Sequence, residues 1–277
     1  MTQTNPLRQY FRHIKLFVEL PSGTSYYSDD VIEFTDSGEV GVMPMTAKDE
    51  LVTRNPDALL NGEAISQIIA SCVPSVKQPK KLLANDIDTL LIAIRHATYG
   101  DDLEVNIACP ACEHANTFSV NITQSLATMS KLKPEYVVEL QDGIRIFVKP
   151  FSYRDSTIAM KAQFEQFKIA KNISNDKLDD EDRLKIFSKS FTEISNLNTQ
   201  LITNCIVKVE HTDGSFSVTE PNFILEFLQN IEKHVFTELD TLIKEINLVG
   251  VNKTFNAKCE KCEHEWEAAI DFNPINF

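Results

Sequence analysis

The chain has 277 residues, enough for one sizeable core or two small ones, and its 43% apolar and 24% charged residues are those of an ordinary globular protein. A net charge of -13 and a pI near 4.9 surround it with a field that repels phosphate, which argues against wholesale nucleic-acid binding. The polar first ten residues hold no apolar signal segment and no apolar run reaches bilayer length, so six cysteines in a reducing cytoplasm are expected as metal ligands or buried small side chains.

Residues 14–20 form a strand candidate that stops at Pro21-Ser22-Gly23, and residues 31–34 and 40–42 continue the extended pattern. Helix follows. Asn55 is a good N-cap, Pro56 suits the first helical position, and Ile65, Ile68, Ile69 and Cys72 share one face before Pro74. The run Lys77 to Lys81 reads as a solvated basic loop. In the next helix Asn85 is the expected cap, Asp86 and Asp88 occupy the first turn, and Ile87, Leu90, Leu91 and Ile94 form the apolar stripe. Gly100 ends it.

Residues 103–122 alternate as strands do, and residues 137–140 and 144–148 flank the hairpin signal Asp142-Gly143. Residues 152–171 turn helical, residues 172–182 read as an exposed acidic loop, and a longer helix follows. Its stripe of Leu184, Phe187, Phe191, Ile194 and Leu201 is read as internal core. Asp213-Gly214 marks a second hairpin, and two helices run from about 221 to 247. The fold class expected is α+β: a mixed helical body with short β-hairpins and a zinc-ribbon-like module. Three parts are expected: residues 1–150 with a first metal knuckle, a mainly helical insert at 151–250, and 251–277 with a second knuckle.

Those knuckles are Cys109-Pro110-Ala111-Cys112 and Cys259-Glu260-Lys261-Cys262. The spacing lets two thiolates reach one tetrahedral ion from a tight turn. The flanks match too: Val105-Asn106-Ile107-Ala108 corresponds to Phe255-Asn256-Ala257-Lys258, and both knuckles continue with Glu and His before alternating sequence. Two such units make a ribbon around one structural Zn²⁺ held by Cys109, Cys112, Cys259 and Cys262. A closed four-thiolate shell has no open position for water or substrate. The alternatives are His114 or His264 in place of one cysteine, two separate sites, or metal-free thiols. Cys72 and Cys205 have no partner at ligand spacing and are expected as buried filler.

No phosphate-binding glycine loop, dinucleotide fingerprint or nucleophile elbow is present, and only 8 glycines are available to build one. The six histidines are scattered; His96 near a helix end is read as a cap-side residue. The expectation is a protein that is not an enzyme.

The stretches Leu20-Pro21-Ser22-Gly23, Met43-Pro44-Met45-Thr46-Ala47-Lys48-Asp49-Glu50 and Asn55-Pro56-Asp57-Ala58-Leu59-Leu60-Asn61-Gly62 carry a family pattern. It continues in Asp86-Ile87-Asp88, Leu90-Leu91, Ala93-Ile94-Arg95, Tyr99-Gly100 and the Cys-Pro-x-Cys knuckle. In these the chain resembles the T4-like bacteriophage baseplate hub subunit and hub assembly proteins. The resemblance implies protein–protein binding to other baseplate hub and tail proteins, and the acidic charge adds the expectation of no nucleic acid. It also implies assembly in the host cytoplasm, with some members remaining in the virion tail baseplate. Phe17, Tyr26, Tyr27, Tyr99 and Trp266 are candidate binding anchors. Two competing readings are a nucleic-acid-binding zinc ribbon, which Glu113, Glu260, Glu263, Glu265 and Glu267 disfavour, and a metal-dependent hydrolase, which needs an open metal site.

Overall fold

A computed structural model of the chain describes residues 5–173 and 180–270, with side chains at all of these except 60, 169–173, 180–187, 189 and 191. The expected α+β class is what forms. Strands β1 (Leu16–Glu19) and β2 (Glu39–Val42) pair antiparallel, Leu16 opposite Val42. Four helices follow: α1 (Ala47–Thr53), α2 (Pro56–Leu60), α3 (Glu63–Cys72) and α4 (Ala84–Tyr99). Thr46 and Asp49 close a reciprocal capping box on α1, and the Asn55 side chain accepts from the Asp57 and Ala58 N–H groups to start α2. The periodic run expected as one helix breaks between α2 and α3. Gly62 sits there at φ 73, and the helix Tyr153–Ile173 comes so close that a Cβ would lie 2.8 Å from Thr157 Oγ1.

The first core is filled by Val18, Val40 and Val42 from the strands, Leu20 just past β1, Ile68, Ile69 and Cys72 from α3, and Ile87, Leu90, Leu91 and Ile94 from α4. Each such aliphatic side chain withdrawn from water contributes about 1.5–3 kcal/mol before ordering costs are counted. The stretch at 31–34 forms only one bridge, Ile32 with Val76, rather than a strand. Arg12 straps the N-terminal segment to this core: it donates to the Pro44 carbonyl at 2.7 Å, to Asp49 at 3.0 Å and to the Ser71 carbonyl at 2.8 Å.

α4 is buried on almost every side, which explains why its stripe is hydrophobic beyond a single face. Asn85 does not cap it. Leu83 holds the cap position, and the Asn85 amide instead donates to the Ile246 and Val249 carbonyls, 2.9 and 2.7 Å away. Asp86 is fully buried and accepts from the Ser22 N–H at 3.0 Å and from the Tyr27 hydroxyl, which itself accepts from the Leu83 N–H at 2.7 Å. Burial pushes the Asp86 carboxyl up to about 6, against the pull of those donors.

Beyond α4 come β3 (Asp102–Ala108), β4 (Ala115–Asn121), α5 (Ile122–Ala127), β5 (Tyr136–Glu139) and β6 (Ile144–Val148). Then follow α6 (Tyr153–Ile173), α7 (Asp180–Cys205), β7 (Ile206–His211) and β8 (Ser217–Val218). Helices α8 (Pro221–Asn230) and α9 (Lys233–Asn247) precede β9 (Thr254–Lys258) and β10 (Glu265–Ala269). Both hairpins marked by Asp-Gly form, with Gly143 at φ 77 and Gly214 at φ 78. They join through β6 and β7 into one antiparallel sheet of order β5-β6-β7-β8. A second core covers that sheet, with Val138, Ile146 and Val209 against Ile224, Leu228, Leu239 and Ile243 of α8 and α9. Of the expected acidic loop at 172–182, both ends are helical, and 174–179 lie outside the described residues. In the α7 stripe, Leu201 is buried and Ile194 half-buried; the side chains of Leu184, Phe187 and Phe191 lie outside the described set.

Candidate metal centre

The strands β3 and β4 form one hairpin, and β9 and β10 form a second. Each hairpin ends in a Cys-x-x-Cys turn built by the same two backbone bonds. The Cys109 N–H donates to the His114 carbonyl at 2.8 Å and the Glu113 N–H to the Cys109 carbonyl at 2.9 Å; the corresponding Cys259–His264 and Glu263–Cys259 bonds measure 2.9 and 3.0 Å. Glu113 and Glu263 both stand at φ 58, a left-handed conformation that a side chain adopts only when its surroundings enforce it. The matching flanks in the sequence thus fold into matching turns.

The two turns face each other. Cys109 Sγ lies 3.6 Å from Cys262 Sγ, Cys112 Sγ lies 3.7 Å from Cys259 Sγ, and all four sulfurs fall within 4.8 Å of one another. A tetrahedron with metal–sulfur bonds of about 2.3 Å has edges of about 3.8 Å, so the thiol set fits a four-coordinate zinc-sized ion. A disulfide needs about 2.05 Å and is a different geometry. Neither His114 nor His264 places a ring nitrogen in this set. The His264 ring instead stacks on Trp266, centroids 6.0 Å apart.

The electrostatics suit a cation. At Cys259 burial opposes ionisation, but the N–H groups of Cys262 and Lys261 aimed at its sulfur overcome it and hold the thiol down at about 6. At Cys262 the His264 N–H favours the thiolate, yet the crowding sulfurs, Cys112 first, together with burial push it up to about 12. Neighbouring thiols that oppose one another's ionisation are what a divalent ion relieves. Cys72 and Cys205 lie apart, both fully buried. Burial raises both thiols, Cys72 to about 11, and Cys72 Sγ accepts from Arg12 at 3.6 Å.

One further residue joins the halves. Asn116 is 2% exposed; its amide donates to the His114 carbonyl at 2.9 Å, and its oxygen accepts from the Glu260 N–H of the opposite knuckle at 3.0 Å. Sequence reasoning missed it. The available signal was a break in the repeat, since Trp266 occupies the equivalent position in the second unit. There Phe118 packs edge-on against Phe255 and Trp266, at 5.2 and 6.0 Å, and fills the space between the hairpins.

The ribbon is fastened to the body at α4. Arg95 donates to the Gly100 and Asp102 carbonyls, both at 2.6 Å, fixing the start of β3. Ile92 of α4 packs with Leu103, Ile122, Val251 and Ile270 in a third core at the ribbon's base, and Lys253 pairs with Asp88. His96 places Nδ1 2.8 Å from Asp101 rather than serving the helix carbonyls. Of the candidate anchors, Phe17 and Tyr99 are exposed. Tyr26, Tyr27 and Trp266 are half-buried and already engaged.

Among the described residues, no helix is long and apolar enough to cross a membrane. No curated protein and no solved structure matches the chain. A family model described as T4 bacteriophage base plate protein matches residues 14–275, nearly the whole length and both knuckles. The chain belongs to the T4 bacteriophage base plate protein family.

Proposed function

We propose that the chain works at the hub of the contractile-tail baseplate, assembled in the host cytoplasm, by binding other hub and tail proteins rather than by catalysis. In this reading Cys109, Cys112, Cys259 and Cys262 hold one structural Zn²⁺. The observation that carries the metal assignment is the near-tetrahedral spacing of four sulfurs from segments about 150 residues apart. When bound, the ion cross-links the two hairpins and opposes the entropy of closing so long a loop, which small β-units alone offset poorly. Four thiolates leave no open coordination position, which disfavours metal-dependent hydrolysis. Exposed Glu113, Glu260, Glu263, Glu265 and Glu267 around the knuckles disfavour a nucleic-acid-binding ribbon.

The hub assignment draws on the stretches that resemble hub proteins. Several of their polar members are tied to other parts of the chain, Ser22 with Asp86, Thr46 with Asp49 and Arg95 with Gly100 within the fold and Tyr99 with Glu50 at its surface. Residues spent on internal joints suit a scaffold. Metal analysis of the purified protein is expected to give one zinc per chain, lost in Cys112→Ser and Cys262→Ser variants that melt at lower temperature. A metal-free native protein that is indifferent to strong chelator would overturn the assignment. Quantitative mass spectrometry of purified tails decides the rest. Stoichiometric presence makes the chain a hub subunit, and absence, with hub assembly failing in its loss mutant, makes it an assembly factor. Absence without such a failure removes the hub role.

A further inference from the structure

The basic run at 77–81 is not simply a solvated loop. Lys80 and Lys81 line one side of an open groove of roughly 770 Å³, and Arg154 and Lys161, about seventy residues on, line the other. Arg154, Ile158 and Lys161 are spaced four and three apart on α6, so they share one helix face. The floor comes from Gly62, Tyr153 and Thr157, where α6 closes on the start of α3. α3 begins there, its first N–H, that of Glu63, donating to the Asn61 side chain at 2.9 Å.

Among the described lining residues Glu63 is the single carboxylate, and it is already paired with Lys80 at 2.7 Å. Arg154 and Lys161 are exposed and make no ion pair among the described residues. Lys81 lies 3.9 Å from Asp30, so the four lining cations outnumber the two carboxylates that pair with them and leave a short positive strip at Arg154 and Lys161, on a chain of net charge -13. We infer that this groove between α3 and α6 binds a carboxylate-rich segment of a partner protein, side chains of Ala70, Pro79 and Ile158 receiving its aliphatic parts. A nucleic acid is the poorer fit. The strip is short, and a polyphosphate running past it would enter the field of an otherwise acidic molecule.

This goes beyond the hub and metal readings and does not depend on the ion, so its failure leaves both intact. The test uses the full chain and a fluorescein-labelled hexaglutamate peptide followed by anisotropy at low salt, with hexaglutamine and a short single-stranded oligonucleotide as comparisons. Hexaglutamate is expected to bind, to weaken as salt rises, and to lose about tenfold or more in affinity in the Arg154→Glu/Lys161→Glu variant. The melting temperature of that variant should match the parent, because neither side chain makes an ion pair or hydrogen bond among the described residues. No hexaglutamate binding, binding that the double reversal leaves unchanged, or tighter binding of the oligonucleotide would each overturn the proposal.

Discussion

Replacing Asp86 with Asn tests the physical reading of the α4 N-terminus. The carboxyl is fully buried and ionises at about 6 instead of 3.8, so the folded state holds its proton more tightly than the unfolded chain does. A pKa raised on folding contributes stability that is complete below about 4 and lost as pH rises through about 6. The difference amounts to about 3 kcal/mol, all of it gone at neutral pH. Asn cannot ionise. Its oxygen can still accept from the Ser22 N–H, while its amide turns a donor toward the Tyr27 oxygen, which already receives the Leu83 N–H. That misfit costs about 1–3 kcal/mol, independent of pH. The two effects separate in urea unfolding of both proteins from pH 4 to pH 8. The variant should be the less stable at pH 4 and should recover about 3 kcal/mol relative to the parent by pH 7. Acid release of a thiolate-bound metal is common to both proteins and cancels in the difference. A stability difference that stays flat with pH would mean Asp86 ionises as an exposed carboxylate does, and one that moves the other way would mean its donors outweigh its burial.

Asn116→Ala should leave the His114 carbonyl and the Glu260 N–H unpaired between the knuckles, costing about 1–3 kcal/mol in thermal or urea unfolding and weakening zinc retention in chelator competition. Gly62→Ala and Gly214→Ala form a matched pair, at φ 73 and 78. A Cβ at Gly62 meets Thr157 Oγ1 and the Tyr153 hydroxyl at 2.8 and 2.9 Å, whereas nothing lies within 4 Å at Gly214. Both changes carry a backbone cost of about 1 kcal/mol, and Gly62→Ala should exceed its partner by a further 1–3 kcal/mol or so in unfolding free energy.

Much of this architecture was legible because its signals are local. Asn55 before Pro56, Asp-Gly at the two hairpins and the doubled Cys-x-x-Cys each specify a backbone shape within a few residues, and each formed as written. The misreadings concern long-range partners. Asn at the start of a helix has the same chemistry whether it caps that helix or ties it to another, and Asn85 reaches carbonyls more than 160 residues away. The β6–β7 pairing likewise joins strands on either side of a helical pair, so one core crosses residue 150 with no local pattern to announce it. The break at Gly62 is set by the approach of α6, and neither segment records that contact alone. Asn116 was hidden for a similar reason, since its second partner lies on the other knuckle.

The placement of α4 explains why the family-resembling stretches look as they do. Its first turn receives Ser22 and Tyr27 at Asp86 and pairs with Lys253 through Asp88. Its last turn holds the Met45 N–H through Thr98, Glu50 through Tyr99 and the start of the ribbon through Arg95. Asn85 adds the end of α9, so one helix fixes the N-terminal sheet, the second core and the ribbon relative to one another. A helix that makes so many polar joints tolerates few substitutions on any face, because each change strands a buried donor or acceptor. Exposed positions such as Phe17, Arg154 and Lys161 carry no such duty among the described residues. Choice of partner is therefore free to vary at the surface while the frame that presents it stays fixed, which is the division of labour a particle built from many docked chains requires.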